Sequence, residues 1–196
     1  MSRTNKTKIL LAQSLIELMK TTPLEKISVN DIVEQAGVGR NTFYYHFEDK
    51  FALVNWYFQS GVTQFLVESG QYSSWPDLLR NMENYFRENK TFYCNALSYM
   101  GQNCLADYIF RFVSDLFAQR MADLNPDSSV QERRFAGDFI AGALLGLLLP
   151  WVNNGMRGEG PSEIYAYLRK FEKYNLLQLF GPSYWEKITQ ENPDDK

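Results

Sequence analysis

Apolar residues recur at intervals of three and four along almost the whole chain, and runs alternating every second residue are nearly absent. That pattern predicts helices rather than strands. Ile9, Leu10, Ala12, Leu15, Ile16 and Met19 form one face of a first helix, which stops before Thr21-Thr22-Pro23. Ser28 predicts the N-cap of a second helix, with Asp31 three positions on as a short stand-in for the glutamate of a capping box. Ile32, Val33 and Ala36 supply its buried side, and Gly37 suits the left-handed residue that ends a helix. A third helix covers Arg40 to His46, with Phe43 and Phe47 one turn apart as its inward face. A fourth begins near Glu48-Asp49 and meets no proline before Pro76, long enough to connect two parts of the molecule.

Further helices are predicted over 76–89, 91–101, 103–123 and 130–154, and another after Ser162. Ser128 or Ser129 caps the 130–154 helix, Pro150 should kink or loosen it, and Asn154-Gly155 closes it. The longest apolar run, Phe139 to Val152, has 14 residues, short for a membrane span and suited to a buried helix. Near the C-terminus Leu176, Leu177, Leu179, Phe180, Tyr184 and Trp185 require burial, and the tail beyond is predicted to fray. The pattern describes an all-α chain: a three-helix head over residues 1–50 and a helical bundle, the body, over residues 51–196.

At 196 residues, 45% of them hydrophobic and 22% charged, the chain can bury a core without disulfides or metal. Its two cysteines, Cys94 and Cys104, lack CxxC spacing and histidine partners, so no zinc site, disulfide framework or other cofactor is expected. The basic start leads into an amphipathic helix rather than a signal peptide, and a reducing cytoplasm is the expected location. The net charge of -3 argues against a generic polyanion binder. Residues 1–50 nevertheless hold seven basic and six acidic side chains, leaving -4 on the remainder. That sign fits a nucleic-acid-reading head on an acidic body.

The third helix carries the most suggestive chemistry. Entry into the major groove requires a small, polar first turn, which Gly39-Arg40-Asn41-Thr42 provides. Arginine grips guanine edges, asparagine adenine edges, and threonine offers a hydroxyl or methyl. Asn41 either contacts a base or tunes how closely the backbone approaches. Tyr44, His46 and Lys50 suit phosphates, where they set register without reading sequence, and Ser28 can aim its hydroxyl and the adjacent amides at another phosphate. His46 can alternatively pack at the helix end, and Tyr45, a further contact, is expected to turn partly inward. Two short helices around a glycine turn also occur in many all-α proteins, where an exposed Arg-Asn-Thr triplet is only a solvated face. No paired carboxylates, nucleophile–base set or phosphate loop suggests an enzyme.

The stretches I-L-L-A-Q-S-L-I-E-L-M, I-S-V-N-D-I-V-E-Q-A-G-V and G-R-N-T-F-Y-Y-H-F-E-D-K-F-A-L together resemble the TetR family of bacterial transcriptional regulators. Phe43-Tyr44-Tyr45-His46-Phe47 followed by Lys50 mirrors that family's recognition-helix signature. The likeness is specific over residues 8–55 and generic beyond, and the sequence departs from it with Gly39 and Asn41. It implies double-stranded DNA as partner, a palindromic operator, a homodimer, and a repressor released by a small organic effector through a two-state shift in the spacing of its recognition helices. The alternative is an all-helical co-regulator whose body binds a protein.

A lone helix-turn-helix touches too few base pairs for useful specificity, so a dimer is expected on physical grounds too. The 130–154 helix is apolar around much of its circumference, and Phe139, Ala143, Gly146 and Leu147, with Tyr167 after Pro161, are the candidate interface. The alternative is a central core helix of a monomer. Aromatic residues crowd the middle of the chain, where the resemblance implies an effector pocket. Phe65, Phe86, Tyr93, Met100, Phe110 and Trp151 are the candidate lining, with plain aromatic core as the other reading.

Overall fold

A computed structural model of the chain describes residues 3–69 and 75–171, with side chains over 4–64, 77 and 79–166. The elements among them are α1 (Arg3–Met19), a short 3-10 turn (Leu24–Lys26), α2 (Val29–Ala36), α3 (Arg40–His46) and α4 (Lys50–Ser69). They continue as α5 (Trp75–Glu88), α6 (Lys90–Ala96), α7 (Leu105–Leu124), α8 (Val130–Asn153) and α9 (Pro161–Phe171). The boundary expected at residue 50 falls on the first residue of α4. The apolar segment containing Leu176 and Trp185 lies outside the described residues.

The predicted helix signals act as their chemistry requires. The Ser28 side chain accepts from the Asp31 N–H at 3.2 Å, and the Asp31 carboxylate accepts the Ser28 N–H at 2.7 Å, closing the capping box. Ser129, not Ser128, caps α8 in the same way with Glu132, while the Ser128 hydroxyl donates to the Asn125 carbonyl. Gly37 ends α2 at φ +65°, a conformation that side chains with a Cβ adopt at a cost.

Three expectations change. Leu11, fully buried, faces the core in α1, while Leu10 is 41% exposed, because the core-facing row runs through Leu11, Ala12, Leu15 and Met19. The helix expected over 91–101 stops at Ala96. Helix α8, expected to be a buried helix covered on several sides, buries within this one chain only the face carrying Gly137, Ala141, Leu145, Leu148, Trp151 and Val152. At 24 residues it is long and apolar enough, by length and composition alone, to cross a membrane. Its first half is instead tied to α7 by polar contacts. The Ser114 hydroxyl donates to Asp138 at 2.6 Å, and Arg134 pairs with Asp115 at 3.1 Å and Asp138 at 3.2 Å. Gly137 permits this approach, since a Cβ there would run into the Ser114 carbonyl oxygen.

Head and body meet at the loop between α1 and α2. Asn95 of α6 accepts the Leu24 N–H at 2.6 Å and donates to the Met19 and Thr22 carbonyls at 2.9 and 2.8 Å. The Lys50 ammonium donates to the carbonyls of Leu24, Glu25 and Ile27 at 2.7, 2.9 and 2.6 Å. Burial lowers its pKa, opposed by the neighbouring Glu25, Asp49 and Asp31 carboxylates. Leu24 and Ile27 are buried beneath these bonds, in the cluster that continues through Phe43, Leu53, Phe92 and Trp151.

Replacing Asn95 by leucine strands three backbone groups of this loop and should lower stability by about 2–4 kcal/mol; Lys50→Met should cost about 1–3 kcal/mol. Urea unfolding of both variants against the parent checks these values. A pH dependence is also expected. Asp31, Glu132 and Glu163 accept the backbone N–H groups of Ser28, Ser129 and Gly160, which holds all three carboxyls below their ordinary values. A carboxyl with a lower pKa in the folded state stabilises it at neutral pH, and this contribution disappears as pH falls through the folded value. The urea midpoint should fall below about pH 4.5, and less steeply in the double variant Asp31→Asn, Glu132→Gln.

Candidate nucleic-acid interface

The Ser28–Lys50 segment folds as two short helices held by buried apolar side chains. Ile32 and Val33 bury one side of α2, and Phe43 and Phe47 bury one side of α3. The turn between them is set by Gly37, and the Val38 N–H reaches back to the Val33 carbonyl at 3.0 Å. Gly39 then caps α3 in an extended conformation, and a Cβ at Gly39 would meet nothing within 4 Å. The first turn of α3 is therefore open to the approach of another molecule.

With Phe43 fully buried, Arg40, Asn41, Tyr44 and Tyr45 stand outward, and Thr42 and His46 are half-buried at the flanks. Arg40 and Tyr44 occupy successive turns. The Arg40 guanidinium lies 5.8 Å from the Tyr44 ring, and its Nη2 reaches the Tyr44 hydroxyl at 3.4 Å, a long contact. Tyr45, expected to turn partly inward, does not: it is 79% exposed against 48% for Tyr44. The inward positions of α3 are already filled by Phe43 and Phe47, four residues apart, leaving Tyr45 on the opposite face. His46 meets the Tyr45 ring edge-on at 4.9 Å.

Two expected phosphate anchors are placed otherwise. All three N–H groups of the Lys50 ammonium go to the Leu24, Glu25 and Ile27 carbonyls, leaving none for a phosphate. The Ser28 hydroxyl donates to Asp31 at 2.8 Å, so an anion there would compete with a carboxylate. The sequence offered no sign of Asn95, whose partners lie more than seventy residues away, nor of Lys8. The Lys8 ammonium sits 5.4 Å from the Phe47 ring and 5.7 Å from the Trp56 ring, beside the end of α3.

In the body, Phe139, Ala143 and Gly146 are exposed and Leu147 is half-buried, all on the face of α8 turned away from its core residues. Phe135 extends this stripe, stacking on Phe139 at 6.2 Å. The Tyr167 side chain lies outside the described residues. A cavity of about 160 Å³ lies between α4, α5, α7 and α8. Of the expected lining residues whose side chains are described, only Phe86 reaches it. Tyr93 stacks on Phe86 at 3.8 Å in the core, and Trp151 lies under the Arg87 guanidinium at 4.8 Å. Phe110 is half-buried outside the lining, Met100 is 69% exposed, and the Phe65 side chain is outside the described residues. Periodicity identified an aromatic interior but not which rings border a void.

Comparison with known proteins agrees with this architecture. A sequence profile described as "Transcriptional regulator C-terminal region" matches residues 73–173, and one described as "Bacterial regulatory proteins, tetR family" matches residues 14–60. The HTH-type dhaKLM operon transcriptional activator DhaS of Lactococcus lactis subsp. lactis is 30% identical over 87 residues, covering 44% of this chain. The chain spans 46% of the length of that relative. Among solved structures, the dihydroxyacetone kinase operon activator DhaS superposes with a TM-score of 0.57 at 21% identity, over 84% of this chain and 93% of that one. NalD, described as the secondary repressor of the MexAB-OprM multidrug efflux pump in Pseudomonas aeruginosa, gives 0.50 at 16% identity, over 88% and 96%. At these identities the two structures show a shared fold. The C-terminal profile covers half of the chain, the N-terminal one spans α2 and α3, and the chain belongs to the TetR family of bacterial regulatory proteins.

Proposed function

We propose that this chain is a cytoplasmic, sequence-specific DNA-binding regulator that acts as a homodimer on a palindromic operator, and that a small effector held in its body releases it. The observation that carries the reading is the outward set on α3: Arg40, Asn41 and Tyr44, presented by a helix whose inward side is locked by Phe43 and Phe47. Arg40 and Asn41 have the donors for base edges, with Thr42 beside them, while Tyr44, Tyr45 and His46 are placed for phosphates. Lys50 acts indirectly, by holding the loop that precedes α2.

The exposed stripe of Phe135, Phe139, Ala143 and Gly146 is the dimer surface in this reading. Its apolar side chains flank small residues that admit a partner helix closely. Repression follows when the bound dimer excludes the transcription machinery. A second reading, activation, is favoured by the 30% identical relative, the dhaKLM operon transcriptional activator. Deleting the gene and measuring transcription of its neighbours separates the two: repression predicts a rise and activation a fall.

In a fluorescence titration, operator affinity should fall steeply with salt, and Arg40→Ala should cost about 1–3 kcal/mol, concentrated at one base position. Lys50→Met should leave the salt slope unchanged, where loss of a phosphate contact would lower it by about one. Absence of binding to the DNA upstream of the gene at any salt would sink the reading and favour a helical adaptor that binds a protein. Phe139→Glu should shift the light-scattering mass from dimer to monomer with helix content retained.

A further inference from the structure

The cavity in the body is bounded on four sides. Phe58 and Val62 come from α4, Phe86 from α5, Phe112 from α7, and Ala141 and Leu145 from α8. No charged side chain lines it among the described residues, and Tyr85 is the one lining residue with a polar side-chain atom. Transfer of an ionised group into such a site would leave the charge without a partner, and a polyol would leave several hydroxyls without acceptors. At about 160 Å³ the cavity is smaller than a drug-sized pocket. It is close to the roughly 150 Å³ of a cavity lined by Leu, Ile and Phe that stays dry and takes benzene.

Tyr85 borders a second space as well, a groove between α1 and α4 that also carries Gln13, Ser60 and Glu88. Its hydroxyl occupies the place that a Cβ on Gly61 would need. Tyr85 therefore touches both the apolar cavity and α4 at Gly61, and the first residue of α4, Lys50, holds the loop before α2.

We propose that this cavity binds an uncharged, apolar molecule of single-ring size, a monocyclic aromatic or a hydrocarbon of similar volume carrying at most one hydroxyl. Its role as the effector rests on the reading of the chain as an effector-released regulator. The class of ligand rests on the cavity alone. A molecule seated there presses on α4 at Phe58 and Val62, and through Tyr85 at Gly61, which gives it a route to the head.

The test is a thermal-unfolding series on the full chain without DNA, using toluene, benzoate and glycerol as probes. Toluene should raise the midpoint saturably, by about 3–8 °C at saturation, with benzoate and glycerol producing no comparable shift. Ala141→Leu adds three carbons inside the cavity and should abolish the toluene shift. Should that variant not fold, Leu144→Ala enlarges the same cavity and should create a shift with naphthalene that the parent lacks. The proposal is overturned if toluene gives no shift with the parent. It is equally overturned if the toluene shift survives Ala141→Leu, if naphthalene leaves Leu144→Ala unmoved, or if benzoate or glycerol gives the larger effect. A toluene shift in a protein that ignores its upstream DNA removes the regulator reading and keeps the ligand class. Operator binding with no toluene shift does the reverse.

Discussion

Six hydrogen bonds to one short loop fix how the head sits on the body. The Lys50 ammonium takes three carbonyls between Leu24 and Ile27, and the Asn95 carboxamide joins Met19, Thr22 and Leu24 from α6. The loop has no regular ladder of its own beyond one 3-10 turn, so these side chains satisfy groups that would otherwise require water. Satisfying them also orients α2 and α3, because the chain enters α2 directly from Ile27 through the Ser28 cap. A shift of α4 or α6 would therefore pull on the loop from which the chain enters α2.

The body has a different character. Its interior is aromatic and aliphatic, with Phe86 and Tyr93 stacked and Phe58 set edge-on to Tyr108 and Phe112. Polar contacts are moved to the seams, where Ser114 and Asp138 join α7 to α8 and buried Glu83 accepts the Ser162 N–H at the start of α9. Such seams fix helix register and leave the space between them to packing alone, which bulky rings fill imperfectly.

Legibility followed locality. The Ser28–Asp31 cap, the Gly37 turn and the Phe43–Phe47 pair each depend on residues within four positions, and each was visible in the sequence. Tyr45 and Leu10 were harder, because rotation by one residue separates core from solvent and neighbouring apolar residues leave that rotation open. Lys50 looked like a phosphate ligand because its charge is visible and its carbonyl partners, more than twenty residues away, are not. Asn95 had no signature for the same reason. The cavity is the extreme case: a void is the difference between large packed volumes, and it follows from no single ring.

Helix α8 serves both of its sides. Ala141 and Leu145 border the cavity, while Phe139, Ala143 and Gly146 face outward. Each residue turns the helix by about 100°, so one residue inserted or deleted ahead of Phe139 would swing both faces by more than a quarter-turn, taking Ala141 and Leu145 off the cavity and the outward stripe off its line. Substitutions on either face act one at a time, whereas a change in length displaces both faces together. Within its central turns, α8 should therefore accept new side chains far more readily than a new residue count.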